Sequence, residues 1–448
     1  MPPMTTIQEY AAALRAGRSS SLAITEASLE RIEAPAGEGA RAFTRVYAEA
    51  ARATARASDT LRAAGLSRSA IDGLPISIKD ILDMAGETTL AGSVVRIGEP
   101  VAKEHADVVK RLLAAGAVII GRTNMTEFAY SGLGINPHYG TPLNPWDRET
   151  GRIPGGSSSG AAVSVSDGMA VAGIGTDTGG SVRIPAALCG LVGFKPTARR
   201  VSTRGAQPLS ANLDSIGPIA TTVSCCACLD AILAGDAVLP LEPARLRGLR
   251  LAVPTTVVLE NMDAQVAASF SAAMTRLSAA GALIDEIPLP AFARLAEINA
   301  TGGFTAAEAW AWHRHLIERS GDRYDPRVMY RIRRGSKMSA ADFIELQSAR
   351  RHWIVEAEAE LAAFDALLMP TTPIVAPPVA ELVASDDAYR QANALMLRNP
   401  SIINFLDGCA LSLPCHAAGN APVGLMVCGP ALYDKKVLAI GLAIEAAL

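Results

Sequence analysis

Hydrophobic and polar positions divide the chain into two textures. Up to about residue 66, apolar side chains recur at helical spacing among alanines and arginines. Thr5 or Thr6, with Gln8 or Glu9 three residues on, predicts a capping-box start, and Gly17 a stop. A second helix is expected through LAITEASLERIEA and a third over about residues 46–64. From residue 73 the texture changes. The short apolar runs LPISI, AVIIG, LRLAV, ALLMP and VGLMV read as buried strands. Helical segments such as KEHADVVKRLLAAG and AAMTRLSAAG alternate with them. Residues 290–360 read as mostly helical, ending in a long helix near 339–363. The alternation predicts an α/β fold with a largely parallel or mixed central sheet covered by helices. No linker-like break or short-period repeat interrupts it, so one large domain is expected.

Composition narrows the function classes. Half of the 448 residues are hydrophobic and 19% are charged, which supports a large buried core. The net charge of −3 shows no polyanion-binding character, so no direct nucleic-acid partner is expected. No apolar run reaches the ~18–20 residues of a membrane span. MPPMTTIQEYAAALRAGRSS lacks the basic start and unbroken apolar core of a signal peptide. The seven cysteines have no disulfide-framework spacing, and a cytoplasmic setting is expected. Cys225, Cys226 and Cys228 read as buried small side chains rather than metal ligands.

The chemistry concentrates around PGGSSSG, residues 154–160. Gly155 and Gly160 have Walker spacing, but Ala161 and Ala162 follow where a phosphate loop needs lysine and a hydroxyl. Gly156 to Gly160 also fit G-x-S-x-G, with Ser158 as nucleophile and a late His416. That elbow must follow a strand, and ETGRIP is a poor one. A third reading uses GIGTDTGGSVRIPAALCG, residues 173–190. The apolar run MAVAGIG ends in a turn, Thr178-Gly179-Gly180-Ser181, with a helix expected near Ser181. Two glycines let several backbone N–H groups converge, which suits an oxyanion. The base such a serine needs could be Lys79, which closes the apolar run in GLPISIKD; burial there would favour a neutral amine.

Periodicity does not join these pieces. The motifs GLPISIKD, PGGSSSGAA and GTDTGGSVRIPAALCGLVGFKPT together resemble the signatures of the amidase signature family. Ser157 and Ser181 stand 24 positions apart, in agreement with it. The resemblance extends through EFAYSGLGINPHYGTPLNPWD, LDSIGPIA, FDALLMPTTPIVAPP and LPCHAAGNAPVGLMVCGP. It covers roughly residues 5–235 and 340–448. It implies the amidase signature fold over 1–448: a helical region 1–66, a catalytic core 67–235, a mostly helical substrate-side region 236–345 and a return to the sheet over 346–448.

The resemblance further implies a Ser–cis-Ser–Lys triad: Ser181 as nucleophile, Ser157 as bridge after a cis peptide bond, and Lys79 as base. Backbone N–H groups of Thr178, Gly179, Gly180 and Ser181 are expected to form the oxyanion hole. Asp177 and Arg183 are expected to fix the turn rather than catalyse. Tyr130 and Ser131, in MTEFAYSG, are candidate substrate contacts, against a core-packing alternative. His313 and His315 point different ways on a helix and predict no metal pair. Trp310, Trp312, Arg314 and Tyr324 mark the polar and aromatic content of the substrate-side region. No metal or organic cofactor is implied.

The expected activity is hydrolysis of a small carboxamide to a carboxylate and ammonia. Ranked behind it stand the A subunit of a tRNA-dependent amidotransferase, a biuret- or allophanate-type hydrolase, and a non-catalytic binding module. The ending PSIINFLDGCALSLPCHAAGNAPVGL departs from the glycine-rich ending associated with that amidotransferase chain. The expected partner is a small amide, and a homodimer is compatible with the sequence.

Overall fold

The computed structural model describes residues 6–448. Eleven strands form one sheet: β1 (Phe43–Val46), β2 (Pro75–Lys79), β3 (Val118–Thr123), β4 (Ala172–Asp177), β5 (Val192–Lys195), β6 (Ser215–Ala220), β7 (Arg250–Pro254), β8 (Leu283–Ile287), β9 (Ala366–Pro370), β10 (Cys409–Pro414) and β11 (Gly424–Gly429). Their spatial order is β1-β3-β2-β4-β6-β5-β10-β11-β9-β7-β8. The sheet is mixed. β2 runs parallel to β3 and β4, and β7 parallel to β8 and β9, while β6, β10 and β11 supply antiparallel pairs.

All five expected strands are present. β2, β3, β9 and β11 are buried along their whole length, which explains their unbroken apolar runs; helices cover both faces. The two edge strands were not foreseen. In β1, FTRV, only Phe43 is buried, and in β8, LIDEI, no residue is. Polar edges carry too little apolar pattern to announce themselves, and they also discourage pairing with another chain.

The N-terminal helices fall where their spacing predicted, over Ile7–Arg15, Ser21–Glu33 and Ala48–Ala63. Thr6 supplies the first cap. Its Oγ1 accepts from Glu9 N–H at 3.1 Å, and Glu9 Oε2 accepts from Thr6 N–H at 2.8 Å. The alternative cap, Thr5, lies outside the described residues. Gly17 follows the helix at φ +63°, a conformation that suits glycine. The long helix expected near 339–363 spans Ala340–Leu361.

The topology sets up a site at one edge of the sheet. Parallel β2 and β4 are neighbours, and their C-terminal ends carry Lys79 and Asp177. In open α/β sheets this edge is where ligands bind. Helices Gly303–Ser320, Pro326–Arg334 and Asp386–Phe405 supply residues to the wall of the adjoining cavity.

Candidate active site

Lys79 ends β2 with its side chain wholly buried. Nζ donates to Ser157 Oγ at 2.7 Å and to Thr176 Oγ1 at 2.9 Å. Burial pushes the amine down to about 7, against the opposing pull of Asp177 and Asp214.

Ser157 lies in the loop before helix Ser159–Ser166, and the peptide bond between Gly156 and Ser157 is cis. Thr126 N–H donates to its carbonyl at 3.1 Å. This loop packs backbone on backbone: a Cβ on Gly156 would stand 2.4 Å from Gly134 N. Only glycine allows that approach.

Ser181 follows β4 in the glycine turn, 4% exposed, at the wall of the cavity. Ser158 N–H donates to the Ser181 carbonyl at 3.3 Å, tying the two loops together. The structure therefore brings Lys79 and Ser157 into direct contact and ties the Ser181 backbone to Ser158, the residue after Ser157. No hydrogen bond joins the two serine hydroxyls; such bonds often tighten only when substrate is present.

The turn is held by Asp177. Its Oδ1 accepts from Gly180 N–H at 2.8 Å, Arg183 Nη2 at 2.9 Å and Asn404 Nδ2 at 2.9 Å. Its Oδ2 accepts from Val182 N–H at 3.2 Å and Arg183 Nε at 3.0 Å. Burial opposes the charge of Asp177, but Arg183 and Lys195 hold its carboxyl well below the usual range. Of the four expected oxyanion donors, Gly180 N–H donates to Asp177 Oδ1. Among the described residues, no backbone or side-chain acceptor engages the N–H groups of Thr178, Gly179 and Ser181. The helix spans Arg183–Leu188, close to the expected start near Ser181, and the Asp177 carboxylate accepts from the Val182 N–H ahead of it.

This set comprises a serine hydroxyl at a cavity wall, N–H donors beside it, and a buried weakly basic amine bonded to a second hydroxyl. It has the parts for acyl transfer. A family model described as Amidase matches residues 23–438. The chain belongs to the amidase signature family. It is a hydrolase acting on amide C–N bonds. A 2-amino-5-chloromuconic acid deaminase of Comamonas testosteroni is 37% identical, covering 88% of this chain and 86% of its own. The A subunit of a glutamyl-tRNA(Gln) amidotransferase from Chloroflexus aggregans is 35% identical over 97% of this chain and 95% of its own. A crystal structure of an amidase superposes with a TM-score of 0.89 at 32% identity, covering 99% and 100% of the two chains.

The remaining candidates of this amidase divide clearly. Tyr130 and Ser131 both line the cavity with Ser181. The Ser131 hydroxyl donates to Asn393 Oδ1 at 2.9 Å, and the Arg331 guanidinium lies 4.7 Å from the centre of the Tyr130 ring. Ser158 donates to the Thr176 carbonyl at 3.4 Å, and His416 accepts from Val423 N–H at 3.3 Å; the elbow pair does not form. His313 is buried with its Nδ1 3.0 Å from the Tyr324 hydroxyl, whereas His315 is exposed. Among the described residues, no three His, Cys, Asp or Glu side chains gather as metal ligands. The seven cysteines are all buried and free.

The cavity has a volume of about 400 Å³, and the sequence named few of its individual side chains beyond Tyr130, Ser131 and the glycine turn. None of Trp310, Trp312, Arg314 or Tyr324 lines it. Its wall comes instead from residues 292–305, Arg331 and residues 397–405, with Phe292, Phe304 and Phe405 as large apolar contributors. Arg331 had a signal. It stands three positions after Val328 and one before Ile332, the two buried residues of its helix, and so belongs to the inward face. Lys195 was also missed. It is wholly buried, donates to the Pro196 and Gly408 carbonyls at 2.7 Å, and burial pushes it down to about 8, with Arg183 acting in the same direction.

Proposed function

We propose that this amidase hydrolyses a small carboxamide to a carboxylate and ammonia through an acyl-enzyme on Ser181. The observation that carries the reading is the 2.7 Å contact between the buried Lys79 amine and Ser157 Oγ, with the Ser181 backbone tied to the next residue, Ser158. Neutral Lys79 takes the Ser157 proton as Ser157 takes that of Ser181. Ser181 Oγ attacks the amide carbon, and the carbonyl oxygen becomes an oxyanion. The N–H groups of Gly179 and Ser181, with Thr178 beside them, receive it; one such donor is worth about 3 kcal/mol in comparable sites. The C–N bond breaks as the proton returns through Ser157 to nitrogen, and ammonia leaves. Water enters by the same relay, releases the acid and restores Ser181. Asp177 and Arg183 act by holding the turn.

A second reading is favoured by the amidotransferase A subunits, similar over 97% of this chain. There the same chemistry would release ammonia from glutamine for a partner. The two readings part on the isolated chain. Ammonia release from a panel of primary amides, ureides and aryl amides supports the free hydrolase. Activity seen only with glutamine and partner chains overturns it.

A further inference from the structure

Among the described residues, the charged side chains lining the Ser181 cavity are two arginines, Arg331 and Arg398, with no aspartate or glutamate. The two differ in one respect. Arg398 is committed to the protein: Nη1 donates to the Glu260 carbonyl at 2.7 Å, Nη2 to the Val258 carbonyl at 3.0 Å and Nε to Asn399 Oδ1 at 2.9 Å. Among the described residues Arg331 has no carboxylate partner, and its buried Nη1 has no hydrogen-bond acceptor. A buried guanidinium nitrogen without an acceptor is costly, and the cost is relieved when a ligand oxygen fills the gap. Stacking on Tyr130, itself a cavity residue, holds the guanidinium in place.

We propose that Arg331 receives a carboxylate on the substrate, remote from the amide that Ser181 attacks, and that the substrate carries no ammonium group. This rests on the amidase reading above. The second half follows from the lining. An ammonium brought into this cavity would meet two guanidinium groups and no carboxylate, with the rest of the wall largely apolar. Glutamine carries such an ammonium beside its carboxylate; a ω-carbamoyl acid does not. The wall of Phe292, Phe304, Phe405, Leu213 and Ile402 suits an apolar body between the two ends.

The test uses ω-carbamoyl acids with straight-chain and aryl bodies, such as glutaramate and 4-carbamoylbenzoate, with their methyl esters and L-glutamine. Binding is measured by calorimetry on the full-length Ser181→Ala protein, and kcat/KM on the unaltered enzyme. At least one acid is expected to bind about ten- to a hundred-fold more tightly than its ester, and glutamine at least about tenfold more weakly than that acid. In Ser181→Ala/Arg331→Gln the acid-to-ester ratio should fall toward one; Arg331→Lys should retain part of it. Esters binding as well as acids, or no acid binding, overturns the carboxylate site. Glutamine matching the best acid overturns the exclusion of ammonium. Arg331-dependent binding of an acid whose amide the unaltered enzyme never hydrolyses leaves the site standing and overturns the amidase reading.

Discussion

Lys79 Nζ lies 2.7 Å from Ser157 Oγ, at the end of a strand with no residue open to solvent. The contact joins two segments 78 residues apart in the chain. It matters because the amine is lowered to about 7 chiefly by burial, and so changes charge near neutrality.

The first consequence is a pH profile. Only the neutral amine can accept a proton, so acylation should rise with pH to a midpoint near 7 and then level. Below the midpoint it should fall about tenfold per pH unit. The rate of fluorophosphonate labelling between pH 5 and 9 reads this directly. A profile flat across that range contradicts Lys79 as the base, and Lys79→Met should be both slow and flat.

The same group should mark stability. Its folded pKa is depressed from 10.5 to about 7, so the unfolded chain binds the proton more readily. The stability this lysine contributes is fully present above pH 10.5 and is lost as pH falls through about 7. The slope in between is at most about 1.4 kcal/mol per pH unit. Urea denaturation at pH 7.5 and 9.5 should show greater stability at the higher value in the unaltered protein than other groups alone would give. In Lys79→Met that increment should vanish; an unchanged difference between the two pH values would show that Lys79 is protonated in the folded chain.

The nucleophile can be separated from its neighbours in the serine-rich loop. Ser181→Ala should abolish labelling and lower kcat by about 10⁴-fold or more. Ser158→Ala removes one long hydrogen bond, to the Thr176 carbonyl, and should cost about 1 kcal/mol or less in stability. His416→Ala lies outside the site and should label at the normal rate. Loss of labelling in Ser158→Ala with retention in Ser181→Ala would reverse the assignment.

How far the sequence reaches can be judged residue by residue. Lys79, Ser157 and Ser181 could be proposed from the sequence because each sits in a short local motif, and only the resemblance joined them. Strands such as ALLMP were legible because burial on both faces leaves an unbroken apolar run. FTRV and LIDEI were not, because an edge strand exposes most of its side chains. The cavity was the hardest part. Its wall combines residues 292–305, Arg331 and 397–405, and helical spacing shows which face turns inward but not what it meets. Trp310 and Trp312 drew attention by their chemistry, yet they stand outside that wall. The engagement of Gly180 N–H was hidden for a related reason: the motif does not show that Asp177 folds back onto its own turn.

That fold-back can be tested with a double change. Asp177 and Arg183 are both fully buried and 2.9 Å apart. Asp177→Asn keeps the shape but leaves the guanidinium charge without its counter-charge, which should cost about 3–5 kcal/mol in urea denaturation. Arg183→Met in the same chain removes the stranded charge, so the double variant should be more stable than Asp177→Asn alone. Activity should not follow stability. In both variants the carboxylate that orders Gly180, Val182 and the turn beside Ser181 is gone. Labelling of Ser181 should therefore stay slow in the double variant even where its stability returns. Recovery of labelling together with stability would mean that the pair serves the fold alone and does not order the turn for catalysis.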